Sequence, residues 1–149
     1  LDFIAGMVDL KENTDPNFFK NHFLEPVLAS GSERDGYFDY WINYGRVKGW
    51  QCVTAKRLTV LPRAKVTIKD NGAYCLITVQ GEGKINGQRI SSPNMIRFHD
   101  ITDDEFFVVH DAARAGITFE NTSDSEPLEL LRYFGPEVNP EAPQIGGKK

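Results

Sequence analysis

The chain is expected to fold as an all-β sandwich or barrel, and three observations carry that expectation. From Tyr37 onward the sequence breaks into about eight short runs rich in β-branched and aromatic residues, each bounded by turn chemistry. Asn-Gly dipeptides in "KDNG" (69–72) and "INGQ" (85–88) suit the positive dihedrals of tight hairpins. Almost nothing of helical period interrupts the runs. Many short strands with regular turns and little helix mean a sandwich or barrel.

Length and composition fit one domain with a real core: 149 residues, 40% hydrophobic, 26% charged, with 10 Phe, 5 Tyr and 2 Trp. Residues 1–36 read as a polar N-terminal extension with one short helix. In "TDPNFFKNHFLEP" Asp15 can cap, Pro16 suits the first helical position and Pro26 ends the turn. Phe18, Phe19 and Phe23 are expected to dock on a larger body, with His22 packed beside them or in water. "ASGSERDG" (29–36) reads as a loop. The strand candidates follow in order: "YFDYWINY", "WQCVTAKRLTVL", "KVTIK", "AYCLITVQGEGKI", "MIRF", "EFFVVH", "GITFEN" and "LELLRYF". "DAARAG" (111–116) reads as a single helical turn between two of them. The body therefore spans 37–136, and the Pro-rich remainder, 137–149, is expected to be an extended, flexible tail.

Charge and cysteine usage exclude several classes. Seventeen Lys and Arg against 21 Asp and Glu leave a net charge of -4, no electrostatic footprint for nucleic acid. No apolar run approaches the roughly 20 residues of a membrane span. Cys52 and Cys75 lie inside strand candidates without metal-binding spacing, so they read as small buried hydrophobes in a reducing, cytoplasmic compartment. The first residue is Leu and no basic leader precedes it, so a fragment or processed product with an upstream domain is expected.

The run "LTVLPRAKVTIKDNGAYCLITVQGEGKING", followed by "DEFFVVHDAARAGITFENTSDSEPLELLRYFGP", resembles the two halves of a cupin barrel, a double-sheet jelly roll. More narrowly it is similar to the C-terminal cupin region of type I mannose-6-phosphate isomerase-like proteins. The marks are Gly81-Glu82-Gly83, Asn86-Gly87 and Glu120-Asn121-Thr122 with Pro127-Leu128 after it. The resemblance implies a place for a metal cage: two His and a Glu in the first half, one His in the second. Counting back from Gly81 puts Tyr74 at the Glu position, with Thr67 and Lys69, or Ile68 and Asp70, at the His positions. Ile117 stands at the second-half position, with Ala115 and Gly116 as alternatives. None of these supplies a usual zinc, iron or manganese donor set.

What could replace the metal follows from strand alternation, because residues two apart share a face. With Tyr74 inward, Leu76, Thr78 and Gln80 follow it, and Thr67 and Lys69 face them across the hairpin. Such a pocket would use Lys69 against a phosphate or carboxylate, Tyr74 to stack or donate, and Gln80 to read hydroxyls. A lysine opening a tight turn is, however, expected in water. Arg97, Arg114 and Arg132 have the two-point geometry that holds a carboxylate or phosphate, and Arg114 sits in the loop that delivers a cupin's second-half ligand. His99, Glu105 and His110, with Asp104, are the alternative donors for zinc or another divalent metal, against expected surface roles.

The expected function is a metal-free cupin domain that binds a small polar ligand such as a sugar phosphate, or supports an upstream domain. The alternatives are a metal-dependent sugar-phosphate isomerase, which moves a proton between neighbouring carbons, and a dimerisation module. A homodimer is expected because both faces of "YFDYWINY" carry aromatics, one set for the core and one for a partner.

Overall fold

The structure, a computed structural model, describes residues 6–46, 48–95 and 98–145. Among them are the strands β1 Val27–Ser32, β2 Tyr37–Asn43, β3 Thr54–Val60, β4 Lys65–Ile68, β5 Tyr74–Ile85, β6 Gln88–Ser92, β7 Glu105–Val108, β8 Ile117–Asn121 and β9 Leu128–Phe134. Three short helices accompany them: α1 Leu10–Asn13, α2 Phe18–His22 and α3 His110–Ala115. None of these is long and apolar enough to cross a membrane. The all-β, double-sheet architecture expected from the sequence is the one observed.

Every ladder is antiparallel, and β5 belongs to both layers. Its first half pairs with β9 and β7, extending a layer ordered β1-β2-β3-β9-β5. Its second half pairs with β6 and β8, and β8 carries β4. The crossing point is a register shift between Thr78 and Gln80, followed by Gly81 in the left-handed region at φ +85°. A bulge adds one residue and flips the side-chain parity. Tyr74, Leu76 and Thr78 face inward before it; Gly83 and Ile85 do so after it. The core fills the space between the layers, with Leu58, Phe119, Leu128 and Leu130 wholly buried.

Several expectations need correction. The segment 27–32, read as the end of an extension and a loop, is the edge strand β1, because β2 offers it a free ladder. β6, directly after the Asn-Gly turn, was not anticipated. Met95 and Phe98 of the "MIRF" candidate are not in a strand; Ile96 and Arg97 lie outside the described residues. Phe18, Phe19 and Phe23 do not dock: each stays exposed, and Phe19 stacks on Phe23 at 4.7 Å. Trp41 lies in the core face of β2 with Asp39, leaving Phe38 and Tyr40 outward. Cys75 points outward and is exposed, and Cys52 is half-buried; both are free thiols.

The segment after β9, for which an extended, flexible tail was expected, is irregular and buries Asn139 and Ala142. Asn139 is wholly buried, donating from Nδ2 to Thr54 Oγ1 at 2.8 Å and accepting at its carbonyl from Gln51 Nε2 at 2.8 Å. Glu137 accepts from the Gln51 amide at 2.9 Å and pairs with Arg46 at 3.0 Å, which together hold its carboxyl below the usual range.

Candidate functional site

The interior of the larger layer carries an unusual row. On β9 the inward residues are Leu128, Leu130, Arg132 and Phe134, so a guanidinium sits where alternation calls for an apolar side chain. Its register partner on β3 is Lys56, and Lys56 in turn partners Trp41 on β2. Arg132 is wholly buried between two carboxylates. Nη1 bonds Asp70 Oδ2, and Nη2 lies 2.6 Å from Asp39 Oδ1. Lys56 Nζ reaches Asp70 Oδ1 at 3.3 Å and rests over the Trp41 ring at 4.3 Å. Two cations and two anions make the quartet electroneutral, the condition under which buried charges are tolerated. Burial works against the charged guanidinium, but Asp39 and Asp70 outweigh it and raise the Arg132 pKa.

Tyr74 closes this end of the interior. Its ring lies 5.3 Å from that of Phe134, and its buried hydroxyl has no hydrogen-bond partner of good geometry. Burial raises the phenol pKa against the opposing pull of Arg132. The folded state therefore retains a proton that the unfolded chain gives up above about pH 10, so folding stability falls as pH rises through that range, by about 1.4 kcal/mol per pH unit. Tyr74→Phe is expected to change stability little at pH 7 and to flatten this alkaline decline. Denaturant unfolding of both proteins between neutral pH and pH 11 checks it; parallel declines would mean that Tyr74 ionises freely.

The two frames for the cupin ligand positions are now distinguishable. Ile68, Asp70, Tyr74 and Ile117 all point inward, and Ile68 is the register partner of Ile117. Thr67 and Lys69 point outward and are exposed, because Val66 and Ile68 take the core side of β4. Gln80 is exposed because the bulge turns it out, and Arg114 is exposed on α3. Thr67, Lys69, Tyr74, Gln80 and Arg114 therefore do not converge on one interior pocket.

Nor does the interior suit a cation. Among the described residues its buried carboxylates are Asp39 and Asp70, and a divalent metal between them would sit against Arg132 and Lys56. The residues do not fit a metal cage. His99 lies exposed in a turn, Glu105 points outward from β7, and His110 Nδ1 lies 3.0 Å from Asp111 Oδ1. No group of three His, Cys, Asp or Glu among the described residues is placed to hold a metal.

A different site lies on the outer face of the smaller layer. A groove of about 500 Å³ is lined by Lys65, Lys84, Asn86, Gly87, Thr118 and Glu120. β4, β5 and β8 present these outward side chains in register: Lys65 opposite Glu120, and Lys84 opposite Glu120 from the other side. Lys65 Nζ lies 3.0 Å and Lys84 Nζ 4.0 Å from the Glu120 carboxylate. The hydrogen bond from Lys65, then its charge, holds the Glu120 carboxyl below the usual range. The Asn86 side chain accepts from the Thr118 amide at 2.8 Å, which fixes the turn against β8. Thr67 shares a hydrogen bond with Thr118 at 2.9 Å and so borders the groove, whereas Lys69 lies beside Gly116, away from the lining residues. Lys65 and Lys84 were missed by sequence reasoning, and Glu120 was read only as part of the Glu120-Asn121-Thr122 mark, although alternation with Val66, Gly83 and Phe119 places the three outward together.

No protein-family model matches the chain, and no curated protein matches it. Among solved structures it is similar to an RmlC-like cupin from Shewanella frigidimarina, with 14% identity over 77% of this chain and 90% of that one, at a TM-score of 0.49. A cupin-2 domain from Rhodospirillum rubrum shows 11% identity over 78% and 76%, at 0.47. A chain from the complex of Rhodobacter sphaeroides SigE with the anti-sigma ChrR shows 13% identity at 0.48; there the match covers 89% of this chain but spans only 62% of the other's length. These likenesses concern architecture and bear on no residue's chemistry.

Proposed function

We propose that this chain is a metal-independent cupin-type domain that binds a small anionic ligand, a phosphosugar or related polyol phosphate, in the outer groove rather than inside the barrel. The observation that carries the reading is where the charges stand. Inside, the quartet is neutral and closed; outside, Lys65 and Lys84 flank the carboxylate of Glu120. Two ammonium groups flanking an open groove suit a phosphate, and an ionised Glu120 between them suits sugar hydroxyls as an acceptor. The narrower kinship with mannose-6-phosphate isomerase-like proteins, and the cytoplasmic setting suggested by two free thiols, belong to this reading. Isomerase chemistry is the weaker alternative, since neither His99, Glu105 and His110 nor the interior carboxylates form a cage for a polarising metal.

The test is a thermal-shift and calorimetric titration of untagged, chelator-treated protein with mannose 6-phosphate, inorganic phosphate and free mannose. The phosphorylated sugar is expected to stabilise the protein with a dissociation constant on the order of a millimolar, and Lys65→Ala with Lys84→Ala to abolish the shift. Binding that survives the double substitution, or that requires added zinc or manganese, would overturn the proposal.

A further inference from the structure

The larger layer ends at β1, and that edge is less defended than the others. Among the described residues β1, β4, β6 and β7 each pair with a single neighbour, which leaves one side of each strand with backbone N–H and C=O groups open. Charged side chains guard three of these edges within the strand: Lys65 on β4, Arg89 on β6 and Glu105 on β7. β1 reads "VLASGS" and carries none. Its one register shift lies between Leu28 and Ser30, and Leu28 is 50% exposed.

Where the chain enters β1 there is a groove of about 440 Å³, walled by Phe23, Leu28, Tyr44, Pro143 and Ile145, with Glu25 as its one charged lining residue. Local contacts hold it in shape. Tyr44 Oη donates to the Glu25 carbonyl at 2.7 Å, and Ile145 is seated on Gly45, where a Cβ would fall 2.6 Å from its side chain. Buried Asn139 and Ala142 anchor the segment that delivers Pro143 and Ile145.

We propose that β1 takes up an extended segment of a different protein as an added strand, with a large apolar side chain of that segment in the groove and a Lys or Arg beside Glu25. Main-chain hydrogen bonds along the open edge supply affinity, and the groove with its carboxylate supplies selectivity. Charge defines the partner. Exposed Glu25 stands at one end of the edge and exposed Glu33 and Asp35 at the other, against the single guanidinium of Arg34. Neither Glu25 nor Glu33 has an ion pair among the described residues. That surplus of negative charge favours a basic segment over an acidic one. A second copy of this chain fits less well, because antiparallel pairing centred on β1 would bring Gly31 and Ser32 to the groove, and these are too small to fill it.

The probe is a phage-displayed library of random octapeptides, panned on the wild-type chain, with the enriched peptides resynthesised. These are expected to place a large apolar residue next to Lys or Arg and to bind with a dissociation constant on the order of 10 μM. Hydrogen exchange supplies the readout that mere surface adhesion would not move: amides within Val27–Ser32 should exchange about tenfold more slowly when the peptide is bound. Ser30→Lys, which adds the guard that the other edges carry, and Glu25→Lys should each weaken binding about tenfold. Thermal unfolding confirms that both variants fold; should Ser30→Lys fail to, the exchange result on the wild-type chain decides. No enrichment, enrichment of acidic peptides, or binding that leaves the β1 amides unprotected would each overturn the proposal. Protection of those amides that rises with the concentration of the peptide-free chain would assign the edge to a second copy and overturn it as well.

Discussion

Replacing Arg132 by methionine is expected to cost about 3–5 kcal/mol of folding stability, a large fraction of the roughly 5–15 kcal/mol typical of a domain. Methionine matches the arginine stem in length and leaves Asp39 and Asp70 buried with Lys56 as their sole counter-charge. Asp39 then has nothing to offset its desolvation, and that uncompensated charge, more than the lost ion pair, is the main cost. The distinction can be measured. Asp39→Leu added to Arg132→Met leaves the neutral pair of Lys56 and Asp70, so the double variant should be more stable than Arg132→Met alone. Urea unfolding followed by tryptophan fluorescence reads both, since Trp41 lies under the Lys56 ammonium. If the two losses simply add, the quartet is not a coupled unit.

The second large effect is expected at Gly83. A Cβ there would overlap the carbonyl oxygen of Glu120 and come within 2.9 Å of Leu128 Cδ2, with β8 on one side of it and β6 on the other. Backbone cannot yield as a flexible side chain would, so Gly83→Ala should cost about 3 kcal/mol through forced separation of β5 from β8. Gly87→Ala is the comparison: it also lies on this hairpin, yet an added Cβ meets nothing within 4 Å. With φ at +87° it should lose only about 1 kcal/mol. Equal losses at the two sites would mean that turn strain, not the approach of β8, decides the stability of this layer.

Local signals carried most of the fold. The Asn-Gly turn at 86–87 and the alternation in "KVTIK" and "LELLRYF" placed β4, β5 and β9 closely. β1 escaped because its sequence, "VLASGS", has turn residues and gains its order from pairing with β2, a tertiary effect outside local propensity. The interior charges were legible and were passed over. Asp39 stands between Tyr37 and Trp41, and Arg132 between Leu130 and Phe134, each a charge flanked two residues away by large apolar side chains. On a strand that pattern places the charge on the core face. The predicted pocket failed for two separable reasons. Thr67 and Lys69 were read in the frame opposite to the one that Val66 and Ile68 impose, and the bulge that Gly81 marks inside the strand, passed over in the reading, turned Gln80 away from Tyr74.

The position of β9 has a consequence for how the chain is made. It is the last in sequence of the strands among the described residues, yet it lies between β3 and β5 and joins their ladders. During synthesis the larger layer must therefore wait, with two strand edges unpaired and Asp39, Lys56 and Asp70 lacking their arginine, until residue 134 has left the ribosome. Unpaired edges in a growing chain are templates for wrong pairing. A ribosome stalled short of β9 would display an adhesive half-barrel, and release of this last strand would act as the closing step that makes the nascent domain inert toward its neighbours.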